Sequence, residues 1–555
     1  MNQRTSATEP FLIRQASNAP FWTMLAGGLL LFCSFPPPGL AWLAWLALVP
    51  WLALIATPAF SGSRPWLKIW LGGLIFQAAS VYYIPIPHWM LWFGWLLLFV
   101  YLSVYPILFV WLGRIMVHDH RVPLVIAAPL VFTALEWVRA HMITGWGAMM
   151  LANSQVRYPR VLQICDLAGG YGLTFLMVMV SVAVMFLMAR PGRHWKSMVA
   201  GVAALGVVLV YGQWRYADLQ PRIEAALQSS AAAGGFSLDA LVVQGAIDTR
   251  FPENDTEREQ IDRQFFREYL DLQRQWTEQR EPDSLPEVIF WPEGKYPVPL
   301  IEGGQESPQH RQSREDFRRF HRLLFAGIPL PPPLVTGVSV FGSGGENVYN
   351  SAILLNPDGT VGGRYDKMHR VLFGEYVPFS GWFPVLARLT PIGAGLTPGE
   401  APESFVVGET RIAPNICFES IQTHLVREQL NTLATREEEP DVLLNLTDDG
   451  WFYGSALLDH HLACNVLRAV ELRKPVVVAA NTGLSALIDA SGRIRVEGER
   501  RKREVLRIQV PVTRGLTSWY RTVGDWPAIF MTLVCVLAIL TRRRGRGRRP
   551  AEAAG

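Results

Sequence analysis

Long stretches without a charged residue constrain this chain more than any other feature of its sequence. No Asp, Glu, Lys or Arg occurs between Arg14 and Arg64, and only His88 interrupts the uncharged stretch between Lys68 and Arg114. Water-soluble domains carry charged residues over their surfaces at much shorter intervals. An α-helix of about 20 apolar residues crosses a hydrocarbon core about 30 Å thick. With 18% charged residues and a mean hydropathy of +0.18, the sequence predicts a multi-pass membrane protein.

Eight membrane-spanning helices are predicted from the apolar tracts. Seven lie at about 21–35, 40–58, 67–84, 89–113, 122–140, 163–189 and 197–213, and the eighth lies at about 526–541. Three parts follow from this arrangement. Residues 1–214 form a membrane domain with about seven transmembrane helices, residues 215–525 form a separate folded domain, and residues 526–555 form a last helix with a basic tail.

Lysine and arginine in the short loops predict the orientation of these helices. The loops on one side carry nearly all of these residues, with an exception near 141–160, and six arginines lie between Arg542 and Arg549. Because basic loops stay in the cytoplasm, residues 215–525 are expected on the periplasmic side of the inner membrane. A basic tail directly after an apolar segment is typical of membrane topology, so no nucleic-acid partner is predicted.

Between residues 215 and 525, short apolar runs alternate with longer polar stretches. Strands are predicted at 241–244, 287–291, 334–341, 352–355, 411–416, 442–446 and 476–480, and helices at 255–279 and 457–474. Turn sequences at Asn356–Gly359 and Asp489–Gly492 predict two β-hairpins. This alternation predicts a layered α/β sandwich.

Three reactive side chains follow predicted strands of this domain, namely Glu293, Lys367 and Cys417. A cysteine that closes a strand lies near free backbone N–H groups, which lower a thiol pKa and stabilise an oxyanion. In acyl transfer a sulfur attacks, a carboxylate moves the proton and an ammonium faces the developing oxyanion. Each residue alone is more commonly structural or solvent-exposed. Their chain order and strand-end positions favour a catalytic site.

Neither a metal nor a cofactor is predicted. The five cysteines show no spacing typical of a metal site, and their odd number argues against a disulfide framework. Cys417 is therefore expected to be a free, reactive thiol. His369 and the His460–His461 pair are expected to be structural, because the carboxylate already fills the proton-transfer role.

The motifs around the three residues carry a family resemblance. They read Trp291-Pro-Glu-Gly294, Tyr365-Asp-Lys-Met-His369, Gly374-Glu-Tyr-Val-Pro378 and Ile416-Cys-Phe-Glu419. Over residues 238–512 the chain resembles the nitrilase superfamily of carbon–nitrogen hydrolases, whose hallmark is a Glu-Lys-Cys triad in this order. The membrane region narrows the resemblance to the branch of that superfamily that N-acylates bacterial lipoproteins.

The resemblance implies a fold, a reaction and a set of roles. The fold is a four-layer αββα sandwich, with Glu293 as general base, Lys367 as oxyanion stabiliser and Cys417 as nucleophile. Glu375 and Glu419 would support Lys367 and the segment after Cys417. The reaction passes an acyl chain from a membrane phospholipid, through a cysteine thioester, to the amine of a diacylated apolipoprotein. The enzyme is expected to be a monomer.

Three positions depart from the family pattern. Asp448 replaces an asparagine, Phe418 replaces a tyrosine after the nucleophile, and Val478 replaces an arginine. These departures bear on the positioning of the lipid or the acceptor rather than on the triad.

Two other functions remain open on the sequence. A membrane-tethered amidase or nitrilase would hydrolyse a small C–N substrate with the same triad. A transporter or lipid-binding scaffold would have no catalytic activity. Eight spans favour a substrate that arrives through the bilayer, and the scarcity of charges in mid-span disfavours a transporter.

Overall fold

The computed structural model describes residues 10–189, 194–228, 235–250, 254–279, 285–302, 307–342, 347–377, 382 and 395–542. Two segments named above lie wholly or partly outside these ranges. They are the basic tail from residue 543 onward and the last residue of the Gly374–Pro378 motif.

Apolar helices occupy the first part of the chain. They are α1 Phe11–Asn18, α2 Pro20–Ser34, α3 Val49–Ala56, α4 Pro65–Ser80, α5 Leu91–Leu102, α6 Val104–Arg114, α7 Leu124–His141, α8 Pro159–Leu162, α9 Cys165–Ala189 and α10 Trp195–Gln228. Short 3₁₀ helices lie at Ala41–Trp45 and Leu151–Gln155, and α6 continues into a π-helical turn at Ile115–Asp119. Each of the seven tracts predicted before residue 215 therefore contains helix.

Within the described residues, four helices are long and apolar enough to cross a membrane. They are Leu91–Asp119, α7, α9 and α10; α1 and α2 add a fifth only if this pair, bent by 114°, is one span. The segment Ala41–Ala56 is apolar but shorter, because it is divided between a 3₁₀ helix and α3. The chain is thus a membrane protein, while the number of eight crossings stays a prediction.

Helix α10 connects the membrane part to the domain that follows. Its 34 residues span about 51 Å at 1.5 Å per residue, well beyond a hydrocarbon core of about 30 Å. The helix continues past residue 214, where the sequence analysis ends the membrane domain. Leu219 and Ile223, in this continuation, pack with Ala490 and Leu516 of the next domain.

Two β-sheets form the second part of the chain. Their strands are β1 Gly235–Gln244, β2 Val288–Phe290, β3 Leu300–Glu302, β4 Leu334–Gly342, β5 Val348–Leu355, β6 Val361–Asp366, β7 Phe405–Val407, β8 Thr410–Ile416, β9 Val442–Thr447, β10 Val476–Ala480, β11 Ala486–Ile488, β12 Ile494–Glu497 and β13 Glu504–Thr513. The first sheet has the order β13-β1-β2-β4-β5-β6, with β3 paired to β4, and the second has the order β12-β11-β10-β9-β8-β7. Both predicted hairpins are present, between β5 and β6 and between β11 and β12.

Helices cover the outer face of each sheet. They are α11 Asp255–Gln279 and α12 Pro308–Leu324 on the first sheet, and α13 Thr423–Thr435 and α14 Leu457–Leu472 on the second. The inner faces pack against each other through residues such as Val242, Phe290, Ile412 and Leu444. The predicted αββα sandwich is therefore confirmed. Two further helices follow β13, namely α15 Trp519–Val523 and the apolar α16 Trp526–Leu540.

The second outer layer also packs against the membrane helices. Every residue of α14 except Asp459 is buried. Val466 and Val470 of this helix share one hydrophobic core with Leu162 and Leu173 of the membrane part. The sandwich therefore sits with one helical layer against the membrane domain.

Parallel pairing brings several strand ends to one edge of the sandwich. Ile416, the last residue of β8, pairs with Leu446 of β9, and Thr447 pairs with Ala480 of β10. In the first sheet β2 runs parallel to β1 and β4. Because parallel strands end at the same edge, residues that follow β2, β8 and β9 meet there.

Candidate active site

Cys417 lies on a sharp turn between β8 and a 3₁₀ helix over Cys417–Ile421. Its φ of +54° places a non-glycine residue in the left-handed region, which costs about 1–3 kcal/mol and needs surrounding contacts to hold it. The Cys417 carbonyl supplies two of these contacts, because it accepts hydrogen bonds from Nδ2 of Asn445 and Nε2 of His461, each at 3.0 Å. The turn is thereby fixed with the thiol at its apex.

Lys367 lies just after β6 and is 2% exposed. Its Nζ donates to Oε1 of Glu375 at 2.7 Å and to Oε1 of Glu293 at 3.3 Å. Burial alone lowers the pKa of Lys367, but the carboxylates of Glu293 and Glu375 outweigh it and hold this pKa well above its ordinary value. The residue is therefore a fixed ammonium, and Cys417 is among the groups that interact with its charge.

Glu293 follows β2 after a Trp-Pro turn and is 8% exposed. Its Oε1 accepts from Nδ2 of Asn350 at 2.7 Å as well as from Lys367, and its Oε2 accepts from the backbone N–H of Asp448 at 2.9 Å. A Cβ at Gly337 would lie 2.5 Å from the Glu293 Cα, so glycine is required there. These contacts hold the carboxylate in one position beside Lys367.

Glu375 and Glu419 bind the surrounding loops. Glu375 Oε2 accepts from the backbone N–H of Val371 at 2.8 Å, so one carboxylate holds both its own loop and Lys367. Glu419, two residues after Cys417, accepts from the backbone N–H groups of Met368, His369 and Ile416 at 2.7, 3.0 and 2.7 Å, and from the hydroxyl of Tyr365. Glu419 thereby ties the Lys367 segment to the Cys417 turn.

The Cys417 thiol is protonated at neutral pH. Burial raises its pKa well above the ordinary value and the Glu293 carboxylate raises it further, while the Lys367 ammonium acts in the opposite direction. The expectation from the sequence is that strand-end N–H groups lower this pKa. That expectation is wrong in net direction, because burial is the largest contribution. Attack by the sulfur therefore requires a base.

His461 has a contact role that the sequence analysis does not specify. Its Nδ1 lies 3.1 Å from Oδ1 of Asp449, while its Nε2 faces the Cys417 carbonyl. Burial lowers the pKa of His461, but the Asp449 carboxylate outweighs burial and the net direction is upward. Asp449 lies just after β9 in a segment, 446–452, that also resembles the family pattern, whereas Asn350, inside β5, has no sequence signal.

The three departures from the family pattern lie in different places. Asp448 lies beside Glu293, and its Oδ2 accepts a hydrogen bond from Nζ of Lys295 at 2.7 Å. Phe418 lines a cavity, with its ring in edge contact with that of Phe452. Val478 is buried in β10 among apolar side chains. The first two therefore bear on the site directly.

A largely apolar cavity of about 410 Å³ opens beside the site. Its membrane-side lining includes Leu91, Gly94, Leu98 and Met142, and its sandwich-side lining includes Val371, Phe373, Phe418, Ile421 and Phe452. Phe418, which lines the cavity, is the residue directly after Cys417 in the chain. A cavity of this size and lining fits a long apolar group.

Among the described residues, no group of three or more His, Cys, Asp or Glu side chains is arranged to hold a metal ion. All five cysteines carry free thiols.

Family models match both parts of the chain. The model described as the apolipoprotein N-acyltransferase N-terminal domain matches residues 27–183, in the helical part. The carbon–nitrogen hydrolase model matches residues 328–517 in the sandwich, which include Lys367 and Cys417 and begin after Glu293.

Full-length relatives and solved structures extend these matches. A protein named apolipoprotein N-acyltransferase from Geobacter metallireducens is 30% identical over 93% of this chain and 94% of its own. A protein of the same name from Rhodopirellula baltica is 28% identical over 94% of this chain and 98% of its own. An amidase from Nesterenkonia sp. aligns with 51% of this chain and 94% of its own at 17% identity, with a TM-score of 0.34. Nit3 from Saccharomyces cerevisiae aligns with 53% and 97% at 15% identity, with a TM-score of 0.35.

Proposed function

This chain belongs to the apolipoprotein N-acyltransferase family, and we propose that Cys417 carries the acyl chain from a membrane phospholipid to the N-terminal amine of a diacylglyceryl-cysteine apolipoprotein. The activity is that of an acyltransferase that N-acylates apolipoproteins. The donor, the acceptor structure and the residue roles are the parts that we propose.

One observation carries the proposal. The buried ammonium of Lys367 contacts Glu293 and interacts with Cys417 at the edge of the sandwich, and the apolar cavity beside Cys417 is shared with membrane helices. A hydrolase of small soluble substrates needs no cavity of this kind. A lipid that enters from the bilayer can place its acyl chain there and its ester carbonyl at the sulfur.

In the first step the Cys417 thiol gives its proton to Glu293 as the sulfur attacks the ester carbonyl. The carbon–sulfur bond forms, and the carbonyl oxygen becomes an oxyanion that the Lys367 ammonium stabilises. When the tetrahedral intermediate collapses, the carbon–oxygen bond breaks and the leaving alkoxide takes the proton from Glu293. The products are a thioester on Cys417 and a lysophospholipid.

In the second step the α-amine of the apolipoprotein attacks the thioester carbonyl. The amine must be neutral to attack, and Glu293 accepts the proton that it loses as the carbon–nitrogen bond forms. Collapse of the intermediate expels the Cys417 thiolate, which Glu293 reprotonates. The enzyme then returns to its starting state with an N-acylated product, and the chemistry needs one chain only.

The proposed orientation places the sandwich on the periplasmic side of the inner membrane and the C-terminal tail in the cytoplasm. The distribution of basic loops and one side-chain contact support this orientation. Nε of Arg542, after α16, donates to Oδ2 of Asp119 at 2.8 Å. The end of α16 therefore lies on the same side as the Arg114 and Arg121 segment, which the basic-loop pattern assigns to the cytoplasm.

The test uses purified protein in vesicles of phospholipid labelled in its acyl chains. A synthetic diacylated lipopeptide with a free N-terminal amine should become labelled, with one lysophospholipid released per acylated peptide. The matched control is the same lipopeptide with an acetylated amine, which should stay unlabelled. Release of labelled fatty acid without peptide acylation would indicate a hydrolase instead. Lipid binding without covalent transfer would indicate a scaffold.

A further inference from the structure

Lys295 is a buried lysine close to the proposed base that takes no part in the steps above. It lies two residues after Glu293, its side chain is 3% exposed, and its Nζ lies 2.7 Å from Oδ2 of Asp448. The same ammonium lies 3.8 Å from the centre of the Phe265 ring. Because a buried charge is costly unless it is paired, Lys295 and Asp448 act as one neutral unit.

Asp448 connects this unit to the proposed base. Its backbone N–H donates to Oε2 of Glu293 at 2.9 Å. Its side chain is held from two further directions, because Oδ2 accepts from Oγ1 of Thr249 at 2.7 Å and Oδ1 accepts from Nδ2 of Asn481 at 2.8 Å. A residue fixed in this way holds its own N–H, and with it one oxygen of Glu293, in a single position.

We propose that the Lys295–Asp448 ion pair is a positioning element for Glu293. The pair fixes the N–H that binds Oε2, and the Lys295 ammonium cancels the negative charge that Asp448 presents to the base. This inference rests on the proposed function, in which Glu293 moves the proton. It also gives a physical role to Asp448, which stands where the family pattern has an asparagine.

Titratable groups lie around the site of Glu293 on the neighbouring elements. They are Lys367 after β6, Glu375 in the loop that follows, Cys417 on its turn, Asp448 and Asp449 after β9, His461 on α14, and Lys295 on the loop of Glu293 itself. Within this set Lys295 is the cation in contact with Asp448. Without it, a like charge next to Glu293 favours the protonated carboxylic acid.

An ion pair that served only to hold the fold would behave differently. Its loss would lower the amount of folded enzyme and reduce activity by the same factor at every pH. Loss of a positioning pair instead changes the charge around the proposed base, and with it the pH dependence of thioester formation. The pH profile of thioester formation therefore separates the two roles.

The experiment measures single-turnover thioester formation against pH in full-length enzyme in phospholipid vesicles. The variants are Lys295→Met, Asp448→Asn and the double variant, with Glu293→Gln as the reference for loss of the base. Lys474→Met is the matched control, because Lys474 is a buried lysine paired with Glu439 at 2.9 Å and precedes β10 at the opposite end of the strand from Asn481. Melting temperatures are recorded for each protein.

We expect the acid limb of the profile to move to higher pH by about one unit in Lys295→Met and to lower pH in Asp448→Asn. The double variant restores charge neutrality and returns the limb toward that of the wild-type protein. The control leaves the limb in place. If the limb is unmoved in the folded single variants, or if it stays displaced in a folded double variant, the positioning role is overturned. Normal thioester formation by Glu293→Gln would instead refute the proposed function itself.

Discussion

Nζ of Lys367 lies 3.3 Å from Oε1 of Glu293, so the proposed oxyanion stabiliser and the proposed base are in direct contact. The two residues are separated by 74 positions in the chain and follow two different strands, β2 and β6, of one sheet. The Glu293 carboxylate helps to hold the pKa of Lys367 well above its ordinary value, so the lysine stays charged although it is buried. The proposed oxyanion stabiliser needs this charge.

The first prediction concerns the base. Glu293→Gln keeps the size of the side chain but removes its ability to accept a proton, so thioester formation should fall by about 10²–10⁴-fold. Glutamine has one acceptor oxygen, so it keeps only one of the two hydrogen bonds that Oε1 and Oε2 accept from Asn350 and from the Asp448 N–H. The melting temperature is therefore recorded, and the rate is compared between folded proteins. Single-turnover rates measure the effect. Glu428→Gln, at an exposed carboxylate of α13, is the control.

The second prediction concerns the resting thiol. Because its pKa is raised above 9.0, Cys417 is protonated at neutral pH. Its alkylation by iodoacetamide should be slow at pH 7 and still rise above pH 9. Lys367→Met removes the ammonium that lowers the pKa and should move the rise to higher pH, whereas Glu293→Gln should move it to lower pH. A rate that levels off below pH 8 in the wild-type protein would contradict the protonated resting state.

The third prediction concerns the apolar cavity. A Cβ at Gly94, which lines it, meets no atom within 4 Å, so Gly94→Trp should fill the cavity without disturbing the helix. The rate with long-chain phospholipids should fall by about tenfold or more, while short-chain donors are less affected. Gly206→Trp on α10, where a Cβ also meets no atom within 4 Å, is the control. Equal rates for both variants with a long-chain donor would exclude this cavity as the acyl site.

Much of the fold could be predicted from the sequence, because many of its strands and helices follow from short local patterns of residues. The strands before Glu293 and Cys417 are short apolar runs that end in polar turns, and α11 has the same limits in the prediction and in the structure. The prediction was less complete where contacts between distant parts of the chain determine the conformation. The tract 40–58 divides into two helices, and α10 continues fifteen residues beyond 213 because its amphipathic end packs on the sandwich.

The supporting residues of the site were harder to predict for the same reason. Asn350 contacts Glu293 from 57 positions away, and His461 reaches the Cys417 carbonyl from 44 positions away. Lys295 reaches Asp448 across 153 positions. None of these pairs has a local sequence signal. The depth of burial that raises the Cys417 pKa likewise depends on layers that only the complete fold brings together.

The fourth prediction concerns orientation. A reporter enzyme that is active only in the periplasm should be active when fused after Arg222 and silent when fused after Gly555. Moving one elementary charge against a potential of 100 mV involves about 2.3 kcal/mol, so the arginines between 542 and 549 should fix the last helix. A fusion before the tail, after Asp525, should be active. The reverse pattern would place Cys417 on the side away from the proposed apolipoprotein substrate.

The most direct test of the account is the intact mass of the enzyme after incubation with phospholipid and no acceptor. We predict an increase equal to one acyl chain, located on Cys417 by peptide mapping and sensitive to hydroxylamine, and its loss when a diacylated lipopeptide with a free amine is added. Cys417→Ala should show no increase and no lipopeptide acylation. A Cys417→Ala enzyme that still acylates the lipopeptide, or a wild-type adduct that the amine does not discharge, would contradict the thioester mechanism.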